Sequence, residues 1–282
     1  YKDFDNSNDE MSMDKINNLK SDVINGAQIL AKCGISIQGK KIMDVGCYLG
    51  LQCFGAMELG AGEAVGIDIP EYYVNQSTNN ESVDASKVLE NKRDKIRKLH
   101  PHLDQSKISF KDVSVFEMDY ENEFDIIFSW ETFEHIMNPK EALARIYKAL
   151  KPGGIVFSQY NPFFCISGGH SMCTLDFPFA HTLLTDEDFK RYVETIVPEN
   201  VPPKYSELSY NFFTKNLNRM TQNDLTKYIN DVGFELVNFM SMPDLNLLNV
   251  IDDSTLDSAK TIHPTLTLND LLCSSVYFIG RK

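Results

Sequence analysis

Residues 41–70 read KIMDVGCYLGLQCFGAMELGAGEAVGIDIP, and this stretch decides the fold class. One apolar run ends in Asp44 and a second ends in Asp68. Between them lie a glycine-bearing turn, a segment of helical character and a closing Gly-Ala-Gly. This order predicts a strand, a turn, a helix and a second strand, with an acid at the end of each strand. The turn, GCYLG at residues 46–50, has Tyr48 where many nucleotide-binding folds keep a glycine.

The same alternation continues to about residue 160. We predict helices at residues 11–33, 49–59, 83–99 and 139–152, and strands at 41–45, 64–67, 107–112, 124–130 and 155–162. A capped helix after residue 220, a turn at Gly233, a sixth strand and a β-rich end follow. The pattern predicts an α/β fold with a doubly wound, Rossmann-like, seven-stranded, mostly parallel sheet and helices on both faces.

The expected organisation is a single domain over residues 1–282. Residues 1–38 form its N-terminal helical segment. Residues 160–219, rich in aromatic residues, and residues 243–271 interrupt the alternation and are predicted insertions. The aromatic residues of the first insertion could form a core, a substrate pocket or an oligomer surface. We expect the first insertion to form a substrate lid, since mobile loops often cover such sites.

Composition narrows the possible partners. The chain has 282 residues, 43% hydrophobic, and a formal net charge of −13. This charge argues against nucleic acid or an anionic membrane as partner, and no apolar run is long enough to span a bilayer. The basic stretch ENKRDKIRKLH, residues 90–100, is expected to be a solvated helix face. The beginning, YKDFDNSNDE, is not typical of a secretory signal.

The six cysteines have irregular spacing and form no CxxC pair. This pattern favours reduced thiols in a cytoplasmic protein over disulfides. No Cys/His cluster has the ligand spacing of a zinc site, so no metal site is predicted. The sequence leaves the oligomeric state open.

Four ordered stretches resemble the class I S-adenosylmethionine-dependent methyltransferases. They are IMDVGCYLG at residues 42–50, AVGIDI at 64–69, ISFKDV at 108–113, and FDIIFSWETFEHIMNPKEALARIYKALKPGGIVFSQYNP at 124–162. The last closely resembles the ubiquinone-biosynthesis-like, small-molecule branch. Each motif is weak alone, whereas the ordered set is specific. The similarity covers roughly residues 38–160, residues 220–240 and the last strand.

The resemblance implies S-adenosylmethionine as cofactor, with S-adenosylhomocysteine as product. Asp44 is expected near the methionine end, Asp68 on both ribose hydroxyls, and Asp112 on the adenine amine, because carboxylates accept hydrogen bonds from such groups. Asp119 is a nearby competitor for the role of Asp112. Gly46 would let the backbone approach the cofactor closely. The full set of expected cofactor-binding residues is Asp44, Gly46, Cys47, Tyr48, Gly50, Asp68, Ile69, Asp112, Val113, Ser129, Trp130 and Glu131.

Each of these residues also has a plain structural interpretation. Asp44 could be a turn residue, Asp68 a strand end, Asp112 a solvated cap and Trp130 part of the core. Tyr48 departs from the family pattern; its side chain could point away from the cofactor or cover the methionine end. A nicotinamide-binding Rossmann protein is the competing α/β interpretation, but the turn fails the G-x-G-x-x-G pattern.

Methyl transfer from a sulfonium needs alignment and exclusion of water more than it needs a metal. An oxygen or nitrogen nucleophile can also require a base, and histidine suits that role near neutral pH. The candidates are His135, His170 and His181, with packed or surface histidines as the alternative. Asp176 and Glu131 could orient a base. His100 and His102 flank a proline and are expected at the surface, while a divalent ion held by Asp and His is a minor alternative.

The sequence thus favours a methyltransferase acting on a small molecule or a sugar-like or glycan-precursor hydroxyl, with O-methylation preferred over N or C. A second hypothesis is a non-catalytic S-adenosylmethionine-binding regulatory or assembly protein. A third is a protein or RNA methyltransferase; the net charge and the lack of a basic arm disfavour RNA.

Overall fold

The computed structural model describes residues 13–70, 84–196 and 205–282. The strands are β1 (Lys41–Val45), β2 (Glu63–Asp68), β3 (Ile108–Asp112), β4 (Phe124–Trp130), β5 (Leu150–Tyr160), β6 (Glu235–Pro243) and β7 (Cys273–Arg281). The helices are α1 (Met13–Lys32), α2 (Leu51–Glu58), α3 (Ala85–Leu99), α4 (Pro139–Ala149), α5 (His170–Cys173), α6 (Ala180–Leu183), α7 (Asp186–Ile196), α8 (Tyr205–Lys215), α9 (Gln222–Val232), α10 (Asp253–Ile262) and α11 (Leu268–Leu272). Short 3₁₀ helices cover Gln105–Lys107, Phe133–His135 and Leu245–Asn249.

The seven strands form one mostly parallel sheet in the order β3-β2-β1-β4-β5-β7-β6, which confirms the predicted fold class. Strand β1 pairs in parallel with β2 and β4, and β2 pairs in parallel with β3. Asp68 and Asp112 are partners in the β2–β3 register. The acids that end these strands therefore share the carboxyl edge of the sheet, where ligands bind in open α/β folds.

The chain divides into two compact units. The first unit comprises Tyr1–Trp130, Ala144–Ser158 and Ile279–Lys282, and the second comprises Glu131–Leu143 and Gln159–Phe278. The expectation of a single domain with an N-terminal segment and two insertions stays a prediction. Residues 1–12 of that segment lie outside the described part of the chain.

The interior of the first unit follows from the apolar strands predicted by sequence. β4 is buried at nearly every position, as expected for a central parallel strand. Trp130, at its end, packs against Phe128 and Phe157, with ring centroids 5.9 and 4.9 Å away. A side chain on Gly26 of α1 would lie 2.5 Å from the Trp130 ring, so helix α1 approaches the sheet closely. This packing supports a structural part for Trp130.

The aromatic residues of the second unit form mainly core, one of the three possibilities left open by the sequence. Phe163, Phe164, Phe189 and Phe213 are buried in one cluster. The rings of Phe189 and Phe213 stack with centroids 3.9 Å apart. Helices α5, α7 and α8 supply five buried residues of this core, namely Cys173, Phe189, Val193, Phe212 and Phe213. The described part of residues 160–219 therefore contains more regular structure than the sequence pattern indicated.

The structure contains the capped helix that the sequence predicts after residue 220. Thr221 and Asp224 form a reciprocal capping box at the start of α9, and Gly233 ends it at φ 104°. The predicted boundary after α4 was less accurate. The helix stops at Ala149 and β5 begins at once, since Gly153 and Gly154 exchange backbone hydrogen bonds with Lys282.

Two predictions of exposure were wrong. His100 is 3% exposed because its Nδ1 lies 2.8 Å from the Glu58 carboxylate and its ring stacks on Phe54. Within the basic stretch of α3, Arg93 is 1% exposed rather than solvated. His102, in contrast, is exposed as predicted.

All six cysteines are free thiols, and five of them are buried. Across the described ranges, none of the helices is both long and apolar enough to cross a bilayer. The cytoplasmic location stays a prediction.

Candidate active site

Asp44, the last residue but one of β1, is in an unusual environment for a carboxylate. The residue is 1% exposed, and neither side-chain oxygen has a hydrogen-bond partner among the described residues. Burial, and secondarily the charge of Asp68, raises the pKa of Asp44 from 3.8 to about 8. A buried carboxyl group without a donor is costly, so the site favours a ligand that brings a donor or a positive charge.

Asp68 ends β2 and anchors the turn after β1. One carboxylate oxygen accepts the backbone N–H of Tyr48 at 2.5 Å, and the other accepts the N–H of Ile69 at 2.7 Å. Each carboxylate oxygen has a further lone pair, so both can accept a second hydrogen bond. Asp68 can therefore hold the turn and a ligand hydroxyl pair at the same time.

Three residues of the turn after β1 have a left-handed backbone conformation. Gly46 has φ 80°, Tyr48 has φ 44° and Gly50 has φ 76°. A Cβ on Gly50 would lie 2.2 Å from the Phe110 ring, so only glycine fits there without displacement. Tyr48 is half-buried, and burial, followed by the charge of Asp68, raises its pKa to about 12. Tyr48 thus keeps its proton at neutral pH, and its backbone is held by hydrogen bonds although its type disfavours this conformation.

Sequence reasoning missed Arg93 of α3. Its guanidinium donates to the Tyr48 carbonyl from Nε at 3.0 Å and from Nη2 at 2.7 Å. The signal was present, because Ala85, Leu89, Arg93 and Ile96 recur at helical spacing and form the buried face of α3. An arginine within such an apolar stripe indicates a buried partner, here a turn carbonyl.

A cavity of about 380 Å³ lies at the carboxyl edge of the first unit. Four expected cofactor residues line it, namely Asp68, Ile69, Asp112 and Val113. Asp112 is 37% exposed and lies 3.6 Å from Nη1 of Arg93. The Val113 N–H, expected on an adenine nitrogen, donates instead to the Lys111 carbonyl at 3.1 Å. Asp119 lies outside the cavity lining and is almost fully exposed, so it no longer competes with Asp112.

The three expected residues at the end of β4 have different surroundings. The Ser129 hydroxyl is buried and donates to the Val45 carbonyl at 3.1 Å, which ties β4 to β1. Trp130 lies in the core described above. Glu131 is exposed, has φ 46°, and its N–H donates to the Gln159 carbonyl at 2.9 Å.

The second unit brings together Glu134, His135 and His170. The two imidazole centroids are 5.0 Å apart, and one potential ligand atom from each of the three residues lies within 4.8 Å of the others. His135 Nδ1 lies 2.7 Å from the Asn216 carbonyl oxygen. A carbonyl only accepts, so Nδ1 carries the proton and Nε2 keeps its lone pair in the neutral ring.

Burial controls the charge of this cluster. It lowers the pKa of His135 to about 4, with a smaller contribution from His170, and lowers the pKa of His170. It also raises the pKa of Glu134 to about 8. Both imidazoles are therefore neutral at pH 7. Within the described residues, His170 Nε2 and Glu134 Oε2 are buried and have no hydrogen-bond partner.

Asn218 supports the turn that carries Glu134 and His135. Its side-chain amide donates to the carbonyls of Phe133 and Ile136 at 2.6 and 2.9 Å, and its backbone N–H donates to the Glu134 carbonyl. The sequence contained Glu134 beside His135, but nothing in it indicated that Asn218 or His170 would lie nearby.

The third candidate histidine has different partners. His181 is 1% exposed, and its Nε2 lies 2.8 and 3.0 Å from the carbonyl oxygens of Phe163 and Cys165. These contacts place the proton on Nε2 and hold the buried ring between two backbone carbonyls, which favours a structural part. Asp176 accepts from the Tyr192 hydroxyl at 2.6 Å.

Glu134, His135 and His170 have the donor types that bind divalent metal ions, and a second group, Glu58, His100 and His102, has the same composition in the first unit. The prediction that no metal is used stays a prediction.

Comparisons with known proteins agree with this geometry. Residues 25–238 match the family model described as a methyltransferase domain. A ubiquinone biosynthesis O-methyltransferase from Dechloromonas aromatica is 30% identical over 125 residues, which are 44% of this chain and 45% of that protein. The mitochondrial enzyme of the same name from Dictyostelium discoideum is 25% identical over 126 residues, 44% of this chain and 36% of that protein. The matches thus span less than half of these two relatives.

Solved structures share the fold at low identity. An S-adenosylmethionine-dependent methyltransferase from Mesorhizobium loti has TM-score 0.52 and 15% identity, covering 90% of this chain and 96% of its own. Magnesium protoporphyrin IX methyltransferase from Synechocystis, with bound S-adenosylhomocysteine, has TM-score 0.51 and 10% identity, covering 98% and 90%. Since the family model matches most of the chain, the protein belongs to the methyltransferase domain family.

Proposed function

We propose that this protein transfers a methyl group from S-adenosylmethionine to a hydroxyl oxygen of a small-molecule acceptor. The observation that carries the proposal is the buried Asp44 carboxyl group, which has no hydrogen-bond partner among the described residues and whose pKa is raised by burial and by the charge of Asp68, one of the residues that line the cavity. The named relatives act in ubiquinone biosynthesis as O-methyltransferases, which supports oxygen as the nucleophile. A hydroxylated aromatic is the first acceptor class to test, and a sugar-like or glycan-precursor hydroxyl is the second.

The residues at the carboxyl edge fit the cofactor chemically. S-adenosylmethionine carries an ammonium, a sulfonium, two ribose hydroxyls and an adenine amine. Asp44 offers a carboxylate to the cationic end, Asp68 to the ribose hydroxyls and Asp112 to the adenine amine. A cation near Asp44 would lower its raised pKa and offset the cost of burying the charge.

When bound, the cofactor supplies an activated methyl group with a good leaving group. The protein then has to orient the acceptor in line and keep water out. We propose that residues 160–219 cover the acceptor. The aromatic core gives the described part of this segment a fixed shape.

His135 or His170 is the proposed base for the acceptor hydroxyl. Both are neutral at pH 7, and the Asn216 carbonyl places the proton of His135 on Nδ1, so that Nε2 is the basic nitrogen of that ring. The lowered pKa of His135 makes it a weak base, so its effect would come from position more than from basicity. His181 is the least favoured of the three because its ring is only 1% exposed and is held by two backbone carbonyls.

A second candidate function is S-adenosylmethionine binding without catalysis, in a regulatory or assembly role. The same carboxylates would serve it. The specific observation that favours catalysis is the pair of buried atoms Glu134 Oε2 and His170 Nε2, because a binding protein has no need for such ionisable groups without hydrogen-bond partners among the described residues.

The test is turnover on a defined acceptor panel. The protein is incubated with S-adenosylmethionine and catechols, phenols, sugar nucleotides or amines, and S-adenosylhomocysteine and methylated product are measured by mass spectrometry. The proposal predicts product with at least one hydroxylated small molecule and none with the amines. Cofactor binding without product on every member of the panel would favour the non-catalytic function.

A further inference from the structure

Arg93 contacts two residues of the turn at residues 46–50. It is 1% exposed and donates two hydrogen bonds to the Tyr48 carbonyl, at 3.0 and 2.7 Å. Its Nη2 lies 3.6 Å from Cys47 Sγ, and its guanidinium lies over the Phe110 ring, 4.5 Å from the centroid. Removing an arginine from water is costly unless its donors are used, and here they are directed at one turn.

Both backbone polar groups of Tyr48 are therefore hydrogen-bonded to charged side chains. Its N–H donates to Asp68 and its carbonyl accepts from Arg93. A tyrosine at φ 44° is strained, and such a residue persists only when its surroundings hold it. The Phe110 ring contacts the Arg93 guanidinium, and it also occupies the space that a Cβ on Gly50 would need. Phe110 and Arg93 therefore both restrict the conformation of the turn.

The ion pair of Arg93 with Asp112 is the weaker of its interactions. The two atoms are 3.6 Å apart, and the Asp112 side chain is 37% exposed, so solvent screens the attraction. The paired hydrogen bonds to the Tyr48 carbonyl, at 3.0 and 2.7 Å, are partly buried and come from an arginine that is 1% exposed. We therefore expect Arg93 to stabilise mainly the turn at residues 46–50, and to contribute less at Asp112, the residue expected on the adenine amine.

We propose that Arg93 is a positioning residue for the cofactor: it fixes the turn at residues 46–50 so that the methionine end of S-adenosylmethionine is recognised. This rests on the proposed placement of the methionine end beside Asp44. Lysine cannot replace it, because a single ammonium lacks the planar fork that reaches Tyr48, Cys47 and Asp112 together.

The test compares two ligands by calorimetry without any acceptor. S-adenosylhomocysteine has the amino-acid end, whereas 5′-methylthioadenosine lacks it. In Arg93→Lys we expect S-adenosylhomocysteine to bind about 10- to 100-fold more weakly, the size of one or two lost hydrogen bonds to a charged group. Methylthioadenosine should lose much less affinity, so the preference of the protein for the full ligand falls.

Arg97→Lys is the matched control. Arg97 lies on the same helix and over the same ring, 5.5 Å from the Phe110 centroid, but it pairs with Glu90 and Asp94. It should keep wild-type affinity for both ligands. The proposal is overturned if Arg93→Lys binds S-adenosylhomocysteine like wild type, or if it loses the same factor for both ligands, as general loosening of the unit would cause.

Hydrogen exchange on the wild-type protein covers the case in which Arg93→Lys does not fold. Saturating S-adenosylhomocysteine should slow amide exchange in helix α3 more than methylthioadenosine does, because Arg93 links that helix to the turn. Equal protection by both ligands would contradict the proposal. Since no acceptor is present, a wrong acceptor class leaves these results unchanged.

Discussion

The carboxyl edge of the first unit and the Glu134–His135–His170 cluster of the second unit both bury ionisable groups without described partners, but they differ in chemistry. The first presents carboxylates, with the pKa of Asp44 raised to about 8. The second places a carboxyl group of raised pKa beside two imidazoles of lowered pKa. A row of acids suits a cationic ligand, whereas neutral imidazoles beside a protonated carboxyl group suit proton exchange. The comparison separates cofactor binding from acceptor chemistry.

The strongest test of this division removes the histidines of the second unit one at a time. We expect His135→Ala or His170→Ala to lower the single-turnover rate about a hundredfold to ten-thousandfold, the usual contribution of a general base. Cofactor affinity should stay at the wild-type value. Quenched-flow measurement at saturating cofactor gives the rate, and His102→Ala, an exposed histidine of the first unit, is the control. Wild-type rates in both variants would mean that catalysis is positional alone.

The unpartnered carboxyl group of Asp44 predicts a pH-dependent stability. Its folded pKa lies above the unfolded value, so the native state holds more protons and loses stability as pH rises from 3.8 towards about 8. The stability difference between Asp44→Asn and wild type should grow over that range by up to about 1.4 kcal/mol per pH unit.

Urea unfolding at several pH values measures this difference without ligand. Comparison with the variant is required because Glu134 and the histidines also titrate in this range. Asp119→Asn, at an almost fully exposed site, should track wild type. A difference that does not vary with pH would show that the folded pKa of Asp44 equals its unfolded value, which would contradict the prediction.

Gly50→Ala should affect the turn with a smaller energy. A Cβ there would lie 2.2 Å from Phe110, and the residue has φ 76°. We expect a loss of about 1–3 kcal/mol of stability together with weaker cofactor binding. Gly153→Ala is the control, since it also has positive φ but nothing within 4 Å of its Cβ. Equal losses in both variants would mean that the left-handed backbone alone, without contact to Phe110, determines the effect.

The two regions also differ in how well sequence predicted them. Strands β1 to β4 and their terminal acids follow from apolar runs and an ordered motif set, because local patterns determine where such strands end. Arg93 was misread as solvated, although its spacing from Leu89 and Ile96 indicated a buried face. Most residues of α3 are charged or polar, so the helical spacing of its few buried positions was not recognised.

The cluster of the second unit was only partly predictable. His135 and His170 were candidates separately, but their approach depends on helix α5 and on a turn held by Asn218. Contacts of this kind join residues distant in sequence through irregular backbone. No local periodicity reports them, so the sequence could not separate His170 from His181.

The central claim is that acids at the carboxyl edge of the first unit hold the cofactor, and Asp68→Ala tests it most directly. The two ribose hydroxyls would lose charge-assisted hydrogen bonds, and the turn would lose the acceptor for Tyr48. Calorimetric titration with S-adenosylhomocysteine should show affinity lowered about a hundredfold or more. Asp119→Ala should bind like wild type. Unchanged affinity in Asp68→Ala, with the variant folded, would contradict the account.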